Sequence, residues 1–231
     1  MTPTIADRLA AVEARIEAAC RRSGRARDEV RLLPVSKTQP ASVVREAYAA
    51  GLRQFGENRI QELAGKAAQL GDLDVDWVVI GHVQRNKAGK IAPLVRELQS
   101  LDSVRLAEDL DRRLTEAGRT LDVLVQVNTS GEAQKSGVAL DEAVAFGAAL
   151  TAYPALVPRG LMTIAVFSTD PDEVGACFDR LRDVQTRLRD ATGTAWDELS
   201  MGMSGDLELA IERGSTCVRV GTALFGARSL V

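Results

Sequence analysis

Eight apolar or β-branched segments alternate with amphipathic, helix-like segments along this 231-residue chain. Such alternation is typical of strands joined by helical crossovers, which places the strands parallel in one sheet. Eight such units in this length favour a (β/α)8 TIM barrel, with a doubly wound open sheet as the alternative because local patterns cannot show closure. A further amphipathic helix is predicted within residues 1–24. The predicted strands are residues 30–36, 53–56, 76–81, 97–102, 121–128, 156–162, 198–202 and 216–221.

Composition and charge narrow the classes of function. Hydrophobic residues make up 45% and charged residues 26%, which suits one globular domain over residues 1–231. The net charge of −3 and the lack of a long basic run argue against a nucleic-acid-binding surface. No apolar stretch reaches membrane-spanning length, and the three widely spaced cysteines form no disulfide or metal pattern, so we expect a cytoplasmic protein. A single histidine excludes multi-histidine metal sites.

The first candidate functional residue is Lys37, which follows the first predicted strand in "PVSK". Residues at the carboxyl ends of the strands carry the chemistry of such barrels, and Lys37 is one of only five lysines among 29 basic residues. A lysine amine can attack a carbonyl carbon, and partial burial favours its neutral, nucleophilic form. Alternatively, the stem packs at the mouth of the barrel while the ammonium group stays in water. The strand pattern alone does not separate these two interpretations.

A phosphate site is predicted after the last two strands. The segment "LSMGMSGD" combines a strand, a glycine-containing turn and the start of a helix, with Ser204 as the predicted N-cap. Gly221 and Thr222 follow the eighth strand, where glycine permits close approach of a ligand and threonine adds a hydroxyl group. Loops at these two positions frequently bind phosphate in (β/α)8 barrels, which favours this interpretation over ordinary turns.

Arg219 lies two residues before the second of these loops and is predicted to point into the barrel. An inward guanidinium group needs an acceptor, either a carboxylate or a ligand atom. A lysine, a phosphate site and this arginine together fit pyridoxal 5′-phosphate: the lysine can form a Schiff base, the loops can hold the phosphate, and the arginine can pair with the ring nitrogen. Because arginine keeps its proton, that nitrogen would stay unprotonated and the ring would be a weak electron sink.

Two further strand ends carry polar candidates. His82, after "WVVIG", can contact a ligand or can be satisfied by the backbone. Asn58 in "FGEN" can hydrogen-bond a ligand, while its neighbour Glu57 can equally cap the following helix.

The other four lysines have less specific interpretations. Lys87 and Lys90 are interpreted as a solvated basic face, with a secondary phosphate or partner site as the alternative. Lys135 lies in the loop after the fifth strand, where it can guide an anion or receive a cofactor by transimination. Lys66 is interpreted as plain helix surface.

Six segments together resemble one known family: "PVSKTQP", "FGENRIQE", "WVVIGHVQRNK", "LVQVNTSGEAQKSGV", "RGLMTIA" and "LSMGMSGDLELAIERGSTCVRVGTALFG". They run from about Val35 to Gly226 and resemble the pyridoxal phosphate homeostasis protein family, the single-domain relatives of the alanine racemase N-terminal barrel. The resemblance implies a fold-type-III barrel with pyridoxal phosphate on Lys37. It also implies further cofactor contacts from Asn58, His82, Ser200, Gly202, Met203, Ser204, Arg219, Gly221 and Thr222.

The same resemblance bears on catalysis. A racemase needs a proton-transfer group on each face of its substrate, and in the two-domain racemases of this fold the second group is a tyrosine from another domain. The two tyrosines here, Tyr48 and Tyr153, fall away from the predicted strand ends. We therefore predict a monomeric carrier or buffer of the cofactor without robust turnover, with apo pyridoxal enzymes as candidate recipients. The alternatives are a pyridoxal phosphate-dependent amino-acid racemase using His82 or a water, and an aldolase in which Lys37 forms a Schiff base with a phosphorylated substrate.

Overall fold

The computed structural model describes residues 3–132 and 134–226; residues 1–2 of the predicted N-terminal helix and residues 227–231 of the predicted domain lie outside them. Eight strands alternate with helices in these ranges. Several strands are shorter than predicted, because the chain turns early to form the loops at the barrel mouth. The strands are β1 (Arg31–Pro34), β2 (Gln54–Glu57), β3 (Asp76–Val79), β4 (Val95–Leu101), β5 (Leu121–Gln126), β6 (Leu156–Met162), β7 (Glu198–Ser200) and β8 (Cys217–Val220).

The strands form one sheet that closes on itself. Its order is β1-β8-β7-β6-β5-β4-β3-β2, and every neighbouring pair is parallel. The two outer strands meet through a parallel bridge between Val35 and Gly56, and the Ser36 amide donates to the Gly56 carbonyl at 3.0 Å. This closure confirms the predicted barrel and excludes the open sheet.

Helices cover the outside of the barrel. The connection between β3 and β4 contains only a 3-10 turn and one short helix before β4 begins at Val95. The helices are α1 (Ile5–Arg22), α2 (Ala41–Ala49), α3 (Ile60–Gln69), α4 (Ala88–Ile91), α5 (Val104–Glu116), α6 (Ala143–Ala149), α7 (Pro171–Thr192), α8 (Leu207–Glu212) and α9 (Thr222–Phe225), with 3-10 turns at Arg27–Glu29, Arg85–Lys87 and Leu150–Ala152.

The predicted N-terminal helix is α1, and its sequence explains where it starts. The Thr4 hydroxyl accepts from the Asp7 amide at 3.1 Å while the Asp7 carboxylate accepts from the Thr4 amide at 2.9 Å, a reciprocal capping box. The apolar face of α1 buries Ile16 and Cys20 and packs on α8 and α9. Because α8 and α9 follow β7 and β8, the extra helix supports the end of the barrel where the phosphate site was predicted.

The core is divided between the outside and the inside of the barrel. The large apolar cluster lies mainly between the strands and the helices, as expected for this architecture. Inside the barrel, Leu33, Val78 and Cys217 form a small separate apolar cluster. The interior also holds the buried polar side chains of Gln99 and Arg219, which lead toward the carboxyl ends of the strands.

The cysteines are expected to resist alkylation while the protein is folded. Cys20, Cys177 and Cys217 are all buried thiols, and burial raises the pKa of Cys217 to about 11. At pH 8 its thiolate, the nucleophilic form, is then only about one part in a thousand. Iodoacetamide at pH 8, followed by intact mass measurement, should label the cysteines only after unfolding. Stoichiometric labelling of the native protein would contradict this placement.

No helix within residues 3–132 and 134–226 is long and apolar enough to cross a membrane. The same residues contain no group of three or more histidine, cysteine, aspartate or glutamate side chains arranged to hold a metal ion.

Candidate functional site

A cavity of about 720 Å³ opens at the carboxyl ends of the strands, within the size range of small-molecule sites. It brings together eight of the ten residues for which a cofactor contact was predicted. Ser200 and Gly202 are outside its lining. The eight that line it are Lys37, Asn58, His82, Met203, Ser204, Arg219, Gly221 and Thr222.

Lys37 lies in a tight turn after β1. Val35, directly after β1, forms the bridge to Gly56, and Thr38 has a φ of 66°, in the left-handed region that non-glycine residues seldom adopt. The Lys37 side chain is half-buried and lines the cavity. A lysine in this position can present an amine to a ligand while its stem packs against the barrel.

Arg219 points into the barrel from β8, as predicted, and is only 4% exposed. Its guanidinium group donates to the Ser200 hydroxyl at 2.7 Å and to the Thr163 carbonyl at 2.8 Å. Burial lowers the pKa of Arg219, because the charged form loses water. The Ser200 hydroxyl and the Thr163 carbonyl are both neutral acceptors, so the guanidinium charge at the cavity floor suits an acceptor atom of a ligand.

Ser200 lies in the barrel interior, outside the lining of the cavity, and contacts Arg219 there. Its hydroxyl donates to Gln99 Oε1 at 2.7 Å while accepting from Arg219, and Gln99 in turn donates to Glu97 at 2.6 Å. This chain of buried hydrogen bonds fixes the guanidinium plane of Arg219. Sequence reasoning missed Gln99, although a polar residue in the middle of a buried strand was a usable signal.

Gly202 allows the backbone conformation of the loop after β7. Its φ is +92°, and a Cβ atom there would lie 2.5 Å from the Cβ of Ala210 on α8. Glycine is therefore required both by the backbone conformation and by the close approach of α8.

The loop after β7, residues 203–206, belongs to the predicted phosphate site, and we call it the phosphate loop after that prediction. Its contacts within the protein differ from the predicted ones. The prediction that Ser204 is the N-cap was wrong, because α8 begins only at Leu207. The Ser204 hydroxyl instead accepts from the Ala223 amide at 3.3 Å, which connects the loop after β7 to the first turn of α9. Asp206 Oδ1 accepts from the Met203 amide at 2.6 Å, and Arg15 of α1 donates to the Ser204 carbonyl at 3.0 Å. No sequence signal pointed to Arg15.

His82 is paired with a carboxylate. Its Nδ1 atom lies 3.2 Å from Asp102 Oδ2, while 55% of its side chain is exposed. Asp102 follows β4, so the pair joins two adjacent strand ends. The sequence analysis considered a ligand contact or a backbone partner for His82. It did not predict the pair with Asp102.

Gly81 is the position where a small substitution should disturb the site most. A Cβ atom at residue 81 would lie 2.3 Å from the Asn58 carbonyl oxygen, a contact with backbone that no side-chain rotation can relieve. We expect Gly81→Ala to lower the free energy of unfolding by about 3 kcal/mol in chemical denaturation. Gly65→Ala on α3, where a Cβ meets nothing within 4 Å, is the matched control and should be neutral or stabilising. Equal stability of the two variants would contradict the close approach.

Lys135 also lines the cavity. Its amine donates to the Ala165 carbonyl at 3.0 Å and forms an ion pair with Glu132.

Lys90 lies elsewhere, in a shallow cleft of about 380 Å³ that also contains Arg85, Arg112 and Asp109. The cleft supports neither interpretation of Lys87 and Lys90 over the other.

The interpretation of Lys66 as plain helix surface was wrong. Lys66 is buried, and its amine donates to the Ser36 carbonyl, to Glu57 and to Glu62. Glu57 does not cap α3 but accepts from Lys66 at 2.6 Å and from the Ser36 hydroxyl at 2.6 Å. A helix pattern cannot show that a neighbouring strand end supplies a buried carboxylate.

Comparison with known proteins agrees with this barrel. Residues 8–229 match the family model described as alanine racemase, N-terminal domain. The chain therefore belongs to this family of barrels.

Within the family, similar curated proteins share one name. The chain is 47% identical to the pyridoxal phosphate homeostasis protein of Pseudomonas aeruginosa, over 97% of this chain and 96% of that protein. It is 40% identical to the protein of the same name from Aquifex aeolicus, over 96% of this chain and 97% of that one. The chain is accordingly a member of the pyridoxal phosphate homeostasis protein family.

Solved structures show the same fold. PipY of Synechococcus elongatus PCC7942, whose structure has pyridoxal phosphate bound, superposes with a TM-score of 0.85 at 40% identity, covering 96% of this chain and all of that one. An alanine racemase from Clostridium difficile superposes with a TM-score of 0.77 at 13% identity, covering 93% of this chain but 55% of the racemase. The second likeness shows that the barrel is shared.

Proposed function

We propose that this protein binds pyridoxal 5′-phosphate in the cavity and contributes to intracellular homeostasis of that cofactor. The observation that carries the proposal is that Lys37, Arg219 and the hydroxyl groups of Ser204 and Thr222 line one cavity. The cofactor offers an aldehyde for a lysine amine, a phosphate for hydroxyl and amide donors, and a ring nitrogen for an arginine. The names of the relatives and the bound cofactor in PipY support the same assignment.

Each group of this chain has one role in the proposal. Lys37 would attack the aldehyde carbon with its amine, releasing water and forming a covalent Schiff base. Ser204, Gly221 and Thr222 would hold the phosphate, with Ser204 and Thr222 offering hydroxyl donors. Arg219 can only donate hydrogen bonds, so the ring nitrogen that it faces would be an acceptor without a proton. Asn58 and His82 would border the ring.

We further propose that the protein carries or buffers the cofactor without robust turnover. Tyr48 lies on α2 under the Arg53 guanidinium, 4.0 Å from the ring centroid, and Tyr153 lies before the amino end of β6. Neither is among the described residues that line the cavity. An electron-poor ring is needed to stabilise a substrate carbanion, and Arg219 would not protonate the ring nitrogen.

Transfer to an apo pyridoxal enzyme tests this role. The loaded protein is mixed with the apo enzyme in one arm, and in the other it is separated from it by a membrane that passes only the free cofactor. We expect faster recovery of enzyme activity in the mixed arm, because direct hand-over does not wait for release into solution. Equal rates would reject direct hand-over and leave buffering.

The racemase alternative has its own test. The loaded protein is incubated with amino acids in deuterated water, and exchange of the α-proton is followed by NMR. We expect no exchange above that of free pyridoxal phosphate. Rapid exchange that Lys37→Ala abolishes would establish catalysis and overturn the carrier proposal. A protein that stays colourless with pyridoxal phosphate would instead favour the aldolase alternative.

We also propose that the protein works as a monomer in the cytoplasm. One chain supplies the lysine, the arginine and the phosphate loop, so the cavity needs no residue from a second copy. Sedimentation of the loaded protein should give the mass of a single chain.

A further inference from the structure

Three charged side chains lie together directly behind the turn that carries Lys37. Lys66 of α3 donates from its amine to Glu57 at 2.6 Å and to Glu62 at 2.7 Å. The side chains of Lys66 and Glu57 are 5% and 0% exposed, and that of Glu62 is 25% exposed. We call these three residues the buried ion cluster. Neither the proposed contacts with the cofactor nor the phosphate loop uses it.

The buried ion cluster binds the chain on both sides of Lys37. On the preceding side, Ser36 donates from its hydroxyl to Glu57 at 2.6 Å, and its carbonyl accepts from Lys66 at 2.8 Å. On the following side, the Thr38 amide donates to Glu62 at 2.6 Å. Thr38 is held at a φ of 66°, a conformation that costs a non-glycine residue about 1 kcal/mol and needs support from its surroundings.

The geometry of the cluster explains why residue 66 is a lysine in a chain that is rich in arginine. An ammonium group has three donors arranged around one atom, and Lys66 has three acceptors: the Ser36 carbonyl, Glu57 and Glu62. A planar guanidinium group cannot direct three bonds to that small volume. Burial raises the pKa of Glu57, and the hydrogen bonds from Lys66 and Ser36 oppose this rise.

Stability alone is a weak explanation for such a cluster. Buried ion pairs lose as much in desolvation as they gain in attraction, and well-packed apolar residues often replace them without loss. The second oxygen of Glu57 is also buried without a hydrogen-bond partner among the described residues. What the cluster does supply is a fixed geometry for residues 36–38.

We propose that Lys66, together with Glu57 and Glu62, is a positioning device that presents the Lys37 amine to the cavity. This inference rests on the proposed function, in which that amine forms a covalent bond with an aldehyde. Lys66 is not among the described residues that line the cavity; it acts through Ser36, and Glu62 acts through Thr38. Loss of the cluster should therefore slow formation of the covalent bond without weakening the sites for phosphate and ring.

Two ligands separate these effects. Pyridoxal 5′-phosphate reports covalent bonding through its absorption band, whereas pyridoxine 5′-phosphate lacks the aldehyde and reports only phosphate and ring binding. For Lys66→Met we expect bond formation slower by about tenfold or more, because small misplacements of a reacting group are costly. Affinity for pyridoxine 5′-phosphate should stay within about twofold of the wild type, as a change remote from those contacts implies. Lys90→Met, an exposed lysine on α4, is the matched control and should match the wild type in both measurements.

Glu62→Ala is the second variant in case Lys66→Met does not fold, since Glu62 is partly exposed. The ligand-free protein gives an independent readout: hydrogen exchange of the Thr38 amide should become faster in both variants. Unchanged bond formation, or equal losses for both ligands, would overturn the positioning role. A wild-type protein that forms no covalent bond would instead refute the proposed function, and Thr38 exchange would still decide whether the cluster holds the turn.

Discussion

Lys37→Ala is expected to weaken the binding of pyridoxal phosphate by about a hundredfold or more, equivalent to ~3 kcal/mol. The covalent bond to the Lys37 amine adds to the phosphate and ring contacts, and alanine leaves only the latter. The measurements are the absorption band of the bound cofactor and its affinity by titration. Affinity for pyridoxine 5′-phosphate should change little, because that ligand forms no bond to the amine.

Lys135→Ala is the matched control for this variant. Lys135 lines the same cavity, but its amine is engaged by Glu132 and the Ala165 carbonyl. We expect this control to keep most of the wild-type affinity. Any band that survives in Lys37→Ala should disappear in the double variant, since these two lysines share the cavity. Wild-type affinity in Lys37→Ala would show that the lysine is not the bonding residue.

Arg219→Met is expected to lower cofactor affinity at least about tenfold, or ~1.4 kcal/mol, because it removes the donor at the cavity floor. The same variant should not lower the free energy of unfolding of the ligand-free protein. The two hydrogen bonds that it loses go to neutral acceptors and contribute about 1 kcal/mol each, whereas burying a guanidinium charge costs several kcal/mol. Methionine preserves much of the packed volume.

Chemical denaturation of the ligand-free variant measures its free energy of unfolding, and titration with the cofactor measures its affinity. Retained stability together with lost affinity would show that Arg219 is kept for its ligand at the expense of the empty barrel. A loss of stability above about 1 kcal/mol would show that the bonds to Ser200 and Thr163 outweigh the desolvation of the charge. Arg219→Lys, which keeps the charge but not the fork geometry, should give an intermediate affinity.

The fold could be predicted from the sequence because it depends on local patterns. Eight alternating units defined the strands, and only the bridge between Val35 and Gly56, a contact distant in sequence, was needed to distinguish a barrel from an open sheet. The shared location of Lys37, Arg219 and the loops after β7 and β8 could be predicted for the same reason. Lys37 and the two loops follow strands, Arg219 lies near the end of β8, and strand ends converge in a barrel.

The predictions that failed concern contacts between elements. Lys66 occupies an ordinary helix position, and only the folded chain brings Glu57 from β2 beneath it. Ser204 resembles an N-cap, but Asp206 binds the Met203 amide and delays the start of α8. The cofactor contact of Ser200 stays a prediction; what the sequence did not show is that its hydroxyl bonds Gln99 and Arg219 inside the barrel.

Reductive trapping tests the central claim most directly. The wild-type protein is loaded with pyridoxal phosphate, reduced with borohydride, digested and mapped by mass spectrometry. The chain has five lysines, at positions 37, 66, 87, 90 and 135, so each alternative site has a distinct peptide or fragment. We predict one modified residue, Lys37, in near-stoichiometric yield. Modification centred on Lys135 or on any other lysine, or no modification of a protein that binds the cofactor, would contradict the account.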